Sequence, residues 1–224
     1  MGFDIIPFLA AAIQAGTPLL FATLGELLIE KSGNLNLGVE GMMLMGAVVG
    51  FQVGLVTSNP VLAMLGAMIA GALGAFIFAF LTVKGLNLRM VGESPSAADA
   101  AGINVTLYKY VHNMIGGALC GLGGAYLSLV YVPAWQENVT AGRGWIAVAL
   151  VIFSTWNPYR AILGSFAFGG LDILGFYWHK LDAKIISALP YVATVIVLIF
   201  ISMKKSKENA PPQGLGEPYF REDR

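Results

Sequence analysis

Three features of the sequence predict an all-α fold: a polytopic transmembrane helix bundle of about seven membrane segments, some broken or re-entrant. The 224-residue chain is 57% hydrophobic and 12% charged, whereas soluble domains run roughly 45–50% apolar and about 25% charged. Apolar runs recur along the whole length, and several reach the about 20 residues that cross a bilayer core. The 28 glycines suit helices that approach closely in lipid. Formal net charge is zero, so no global field recruits nucleic acid or an acidic ligand. Cys120 is the one cysteine. It can form no intramolecular disulfide, and its apolar neighbours mark it as a small packing residue.

The opening, MGFDIIPFLAAAIQAG, lacks a basic n-region and flows into the first span, so no cleavable signal peptide is expected. Ile5–Gly25 carries no charge and fits a full span. Gly41–Val56 is short, and Pro60–Val83 is long enough to cross. After a polar interruption come Val111–Val132, a broken apolar stretch Trp145–Trp156, Ala161–Trp178 and Ile185–Met203. The expected organisation is one membrane domain over 1–203, with 84–110 as a cytoplasmic loop, and a solvated tail over 204–224. Lys84, Arg89 and Lys109 flank that loop, and Lys204, Lys205 and Lys207 follow the last span. Both sets belong in the cytoplasm by the positive-inside rule, which places the C-terminus there and the N-terminus outside.

Pairs of small residues four apart, Gly117 and Gly121, Ala70 and Gly74, Gly71 and Ala75, predict close helix crossings. Two polar segments break the apolar pattern. ELLIEKSGNLNLGVE, Glu26–Glu40, sets charges and asparagines between two apolar runs. It reads either as a plain interfacial turn or as an interrupted helix lining a cavity. The second, Lys84–Tyr110, contains a short helix by its capping signals. Ser94 suits the N-cap, Pro95 the first helical position and Gly102 the left-handed terminator. Its small residues Ala97, Ala98, Ala100 and Ala101 allow close docking on a partner, and two turns alone are marginal in water.

No GxxxxGK(S/T), HExxH, GxSxG or CxxC motif occurs, so no catalytic residue, metal site or cofactor is expected. Asp172, in GGLDILGFYW, reads as a pore-lining hydrogen-bond acceptor or as a buried acid paired with a neighbouring helix. Trp135, Trp145, Trp156 and Trp178 near segment ends suggest an aromatic belt.

GELLIEKSGNLNLGVEGMMLMGA (Gly25–Ala47) and GLNLRMVGESPSAADAAGINVTLYKY (Gly85–Tyr110) resemble permease subunits of bacterial ATP-binding-cassette (ABC) importers of the simple-sugar and nucleoside type. The form GNLNLGVEG favours the nucleoside branch. The resemblance implies a permease that moves nucleosides or related ribosides across the cytoplasmic membrane without hydrolysing ATP itself. A monosaccharide permease is the alternative, and an internally deleted, non-transporting scaffold a further one. Gly92, Glu93, Ser94, Pro95, Ala97, Ala98, Asp99, Ala101 and Gly102 would form the coupling helix docked on a cytoplasmic ATPase subunit. Asn34, Asn36, Gly38, Glu40 and Gly41 would lie along the translocation path, with Asp172 as the further candidate. Implied partners are that ATPase, a second, unlike permease, a substrate-binding lipoprotein outside and membrane lipid, with no nucleic acid. Against the family pattern, roughly 80 to 90 residues, about two spans with their loops, are missing between Val83 and Lys84.

Overall fold

The computed structural model describes residues 4–80, 99–100, 104–177, 188–189, 191–196, 199, 211 and 215–216. Helix α1 spans Ile5–Lys31, α2 Val39–Thr57, α3 Pro60–Phe80, α4 Val105–Tyr126, α5 Arg143–Phe153 and α6 Pro158–Tyr177. A π-helical turn, Leu127–Tyr131, extends α4. Further helical residues occur at 191–196. Four helices are long and apolar enough to cross a membrane: Ile5–Lys31, Val39–Thr57, Pro60–Ala79 and Val105–Tyr131. They establish a helical integral membrane protein.

Which residues face inwards follows from the solvent being lipid. On α3 the buried residues are Ala63, Ala67, Ala70, Gly71, Ala75 and Ala79, while Leu62, Leu65, Ile69, Leu73 and Ile77 are exposed. A water-soluble helix would bury the large side chains. In lipid there is little gain in hiding leucine, and association rests on close backbone contact through small residues. The expected crossings occur. A Cβ on Gly71 would lie 2.2 Å from the Gly117 carbonyl oxygen, and one on Gly117 2.2 Å from the Ala75 Cβ. Gly74 instead faces Met42 and Met45 of α2. Cys120 is fully buried, its Sγ 3.7 Å from the Ala22 carbonyl oxygen.

The same contacts give the topology. Gly123 of α4 meets Pro18 and Ala22 of α1, and Gly116 meets Gly25 and Ile29, so α1 and α4 run antiparallel. Gly124 meets Met43 and Gly54 meets Leu129, so α2 runs with α4. Gly16 meets Ser165 and Phe166, and Gly170 meets Ala12 and Phe8, so α6 runs against α1. Calling the end of α1 the lower face, α1 descends, α2 rises, α3 descends, α4 rises and α6 rises. Helix α5 descends beside the second half of α1: Leu150 packs on Leu19, Val151 on Leu27, and Trp156 bonds Glu30.

Two connections re-enter the bundle. Gly33 (φ +85°) ends α1 in the left-handed region that glycine tolerates. The chain then climbs with Ser32, Asn34 and Asn36 buried and Leu35 and Leu37 exposed, so that α2 starts at a buried Val39 inside the core. From the top of α4, residues 132–142 turn back down. Val139 joins the same core cluster as Val39, Ile29 and Ala147. Positive φ angles at Asn138, Ala141 and Gly142 make the turn that starts α5. The halves α1–α3 and α4–α6 thus repeat one another in opposite orientation: long helix, re-entrant stretch of chain, helix starting inside the bundle, further helix. Such inverted repeats with discontinuous helices are a device of transporter folds, and here Ser32, Asn34, Asn36, Val139 and Thr140 of the irregular segments are buried in protein.

The sequence reading misplaced two boundaries. Helix α1 continues six residues beyond Gly25 and carries Glu26, Glu30 and Lys31 as helical residues. Helix α4 begins at Val105, ahead of the expected Val111, so Lys109 is a buried helical residue and not a loop cation. The apolar count ends a span at the first charge, whereas a helix ends where its backbone hydrogen bonds end.

Candidate functional site

Helices α2 and α5 both begin inside the bundle, next to each other. Glu40, in the first turn of α2, reaches across to α5: the Gly142 N–H donates to Oε1 at 2.9 Å, and the Gly144 N–H donates to Oε2 at 2.6 Å. One carboxylate thereby caps the neighbouring helix, satisfying two of its orphan donors and meeting the positive end of its dipole. Gly144 permits this approach, because a Cβ there would lie 2.5 Å from the Glu40 Cα. Between the two glycines, Arg143 points away to α6, its Nη2 donating to Asp172 Oδ2 at 3.0 Å. Three helices are locked through Gly142, Arg143 and Gly144.

Below this junction sits a buried polar strip. Asn36 Nδ2 donates to Glu26 Oε2 at 2.7 Å, and the Gly38 N–H donates to Asn36 Oδ1 at 2.8 Å. The Trp156 indole N–H donates to Glu30 Oε2 at 2.6 Å. Glu26, Glu30, Asn34, Asn36, Lys109 and Asn113 are all buried. Among the described residues Glu26 Oε1, Asn34 Nδ2, Lys109 Nζ and Asn113 Oδ1 find no hydrogen-bond partner. Ionisable side chains at this depth are costly, and they mark a pathway far more often than a structural filler.

Asn36, Gly38 and Glu40 therefore lie together, with Asn34 buried just below them. Gly41 faces the other way: a Cβ there would meet nothing within 4 Å. Asp172 has the neighbouring-helix partner that one of its two sequence readings called for, the Arg143 guanidinium, but not the burial that reading assumed. It is ion-paired to a neighbouring helix but half-exposed, its side chain retaining 42% of its accessible surface. Among the described residues it joins the junction through Arg143. Of the expected coupling residues, Asp99 is described and helical. Gly92, Glu93, Ser94, Pro95, Ala97, Ala98, Ala101 and Gly102 lie outside the described residues.

Sequence reasoning missed Gly142, Arg143 and Gly144, and it read Trp156 as an interfacial anchor. A basic residue between two glycines, just ahead of a short apolar run, was the available signal. It describes a helix start that needs close backbone approach.

A bundle of span-length helices with two discontinuous ones meeting at buried polar groups defines a membrane transport protein. The family described as branched-chain amino acid transport system / permease component matches residues 8–84 and 82–202. The chain belongs to that family. TsgC13 of Haloferax volcanii, named as a glucose ABC transporter permease protein, is 30% identical over 320 aligned positions spanning 96% of this chain and 97% of that protein. The guanosine ABC transporter permease protein NupQ of Bacillus subtilis is 25% identical over 320 positions, spanning 97% of this chain and 99% of its own. The nucleoside ABC transporter permease protein NupC of Lactococcus lactis is 38% identical over 135 residues, 57% of this chain and 42% of that one. No solved structure is significantly similar. An alignment of 320 positions exceeds the 224 residues by 96. At least that many aligned positions therefore hold no residue of this chain. The two family matches meet at residues 82–84, where the sequence reading places the missing stretch.

Proposed function

We propose that this chain is the transmembrane permease subunit of an ABC importer for nucleosides or sugars. The observation that carries the reading is the end-to-end alignment with TsgC13 and NupQ in a chain whose two discontinuous helices meet at Glu40. ATP hydrolysis lies on a partner subunit, an extracytoplasmic binding protein delivers the solute, and a second permease, unlike this one, completes the pore. GNLNLGVEG favours nucleosides over free monosaccharides.

The lower face is cytoplasmic. It exposes Lys31 and Arg160, whereas the upper face exposes Asp4 and Glu137, as the basic-residue bias requires. Lys84 and Arg89 belong to the connection between α3 and α4, which leaves and re-enters that face. The region Gly92–Gly102 within this connection is the ATPase coupling segment. The chain sits in the cytoplasmic membrane with its C-terminus inside.

Co-expression with the ATPase and binding protein tests this. Solute-stimulated ATP hydrolysis and uptake of labelled uridine, competed poorly by ribose or glucose, are expected. Asp99→Arg and Ala98→Trp should abolish stimulation without preventing insertion; intact stimulation in either variant refutes the coupling assignment. Assembly with no uptake of any solute points to the second reading, a non-transporting remnant, which the 96 unfilled alignment positions favour.

A further inference from the structure

Beside the junction, on the upper side, a crevice of about 320 Å³ opens between α1, α5, α6 and the helical residues at 191–196. Leu19 and Phe168 line it as apolar wall, Tyr191 as an exposed aromatic, and Arg143 with Asp172 as its polar side. We propose that this crevice is a binding subsite for a neutral polyhydroxylated ring, the sugar or ribose moiety of a solute. The proposal rests on the transport reading above and names the residues that meet the solute.

The chemistry follows from what the ion pair leaves free. Arg143 and Asp172 close on each other at 3.0 Å through one nitrogen and one oxygen. The carboxylate, with 42% of its side-chain surface accessible, keeps acceptor capacity facing the crevice. The guanidinium has further donors, one directed at the Thr140 carbonyl at 3.5 Å. A hydroxyl both donates and accepts, so adjacent hydroxyls on a ring can take both roles without opening the pair. An aromatic face such as Tyr191 stacks on the ring's C–H surface. The volume lies in the range that small-ligand pockets occupy. A zwitterionic amino acid of similar size needs its carboxylate on Arg143 and its ammonium on Asp172, which breaks the pair. An anionic sugar phosphate meets an internally neutralised site. Neutral polyols are the class that fits the pair as it stands.

The test uses the full chain in phosphatidylcholine nanodiscs, free of sugar detergent, and saturation-transfer NMR with uridine, glucose and leucine as probes. Saturation of the ring C–H protons of uridine or glucose is expected. Asp172→Asn should weaken that binding about tenfold, the loss of one charge-assisted hydrogen bond. Tyr191→Leu, which leaves the ion pair untouched, should weaken it by a smaller factor, and it serves if Asp172→Asn does not insert. Three results each overturn the proposal: no transfer to either polyol on the wild-type chain, unchanged binding in both variants, or displacement of the polyol by leucine. The uptake assay is separate. Transport without this binding defeats the subsite alone, and Asp172-dependent binding without transport defeats the permease reading alone.

Discussion

Replacing Glu40 by alanine tests whether one carboxylate holds the two discontinuous helices together. The substitution removes the acceptors of two backbone donors, the Gly142 and Gly144 N–H groups at 2.9 and 2.6 Å. Gly144 is buried, so its N–H is left without partner or water; Gly142 is half-buried and partly rehydrates. A hydrogen bond to a charged group contributes roughly 1.5–3 kcal/mol, and an orphaned buried donor costs about 1–3 kcal/mol. Counting the first site fully and the second in part gives a loss of about 2–4 kcal/mol. Glu40→Gln keeps one acceptor but aims an N–H₂ at a second donor, so about half that loss is expected. SDS unfolding of the purified chain in mixed micelles measures both, with the exposed Glu137→Ala as a control expected within about 0.5 kcal/mol. The same interlock makes Gly144→Ala destabilising, because its Cβ would lie 2.5 Å from the Glu40 Cα. The double variant Glu40→Ala/Gly144→Ala should then lose less than the two single losses added. A Glu40→Ala chain as stable as wild type, or strict additivity, would refute the cap as the element that locks α2 to α5.

Trp156→Phe removes the donor to Glu30 Oε2 and should cost about 1–3 kcal/mol, whereas Trp145→Phe, at an exposed indole, should be near neutral; the same unfolding assay separates them. Gly124→Ala places a Cβ 1.7 Å from the Met43 carbonyl oxygen, so monodisperse protein should be lost in size-exclusion chromatography, while Gly41→Ala, with open space around its Cβ, should elute as wild type. Asn104 caps α4 by accepting the Leu107 N–H at 3.0 Å, and Asn104→Ala should cost about 0.5–2 kcal/mol of that helix's stability, read as faster hydrogen exchange over residues 105–109.

The membrane class and the small-residue crossings were legible because both are local properties of composition and spacing. Gly71, Ala75, Gly117 and Gly121 announced the α3–α4 contact four residues at a time. The polar segment Glu26–Glu40 was equally visible, but its architecture was not. Whether Glu26 and Glu30 are loop or helix depends on partners far along the chain: Asn36 ten residues on, Trp156 more than a hundred. A tryptophan near a span end carries no mark that separates a lipid anchor from a donor to a buried acid. Asp172 was readable as an acid inside an apolar segment, whereas Arg143 went unread. Their pairing follows only from the re-entrant descent of residues 132–142, which no periodicity encodes.

The stretch missing relative to TsgC13 and NupQ leaves the packing of its two flanking helices intact. Helices α3 and α4, which flank the junction at residues 82–84, pack directly against each other. Phe76 lies beside Tyr110 with ring centroids 5.8 Å apart, and the Gly71, Ala75, Gly117 and Gly121 contacts run on above. That interface needs no intervening span to form. Both flanking ends reach the lower face, as an even number of lost spans requires if everything downstream is to keep its orientation. Every residue of the Glu40 junction comes from the retained halves, α1–α3 and α4–α6. The row Leu62, Leu65, Ile69, Leu73 and Ile77 on α3 is exposed, and lipid can solvate it without penalty. A chain that folds, assembles and stimulates its ATPase but moves no solute would therefore be one whose two discontinuous helices still cross at Glu40, its failure lying outside that junction.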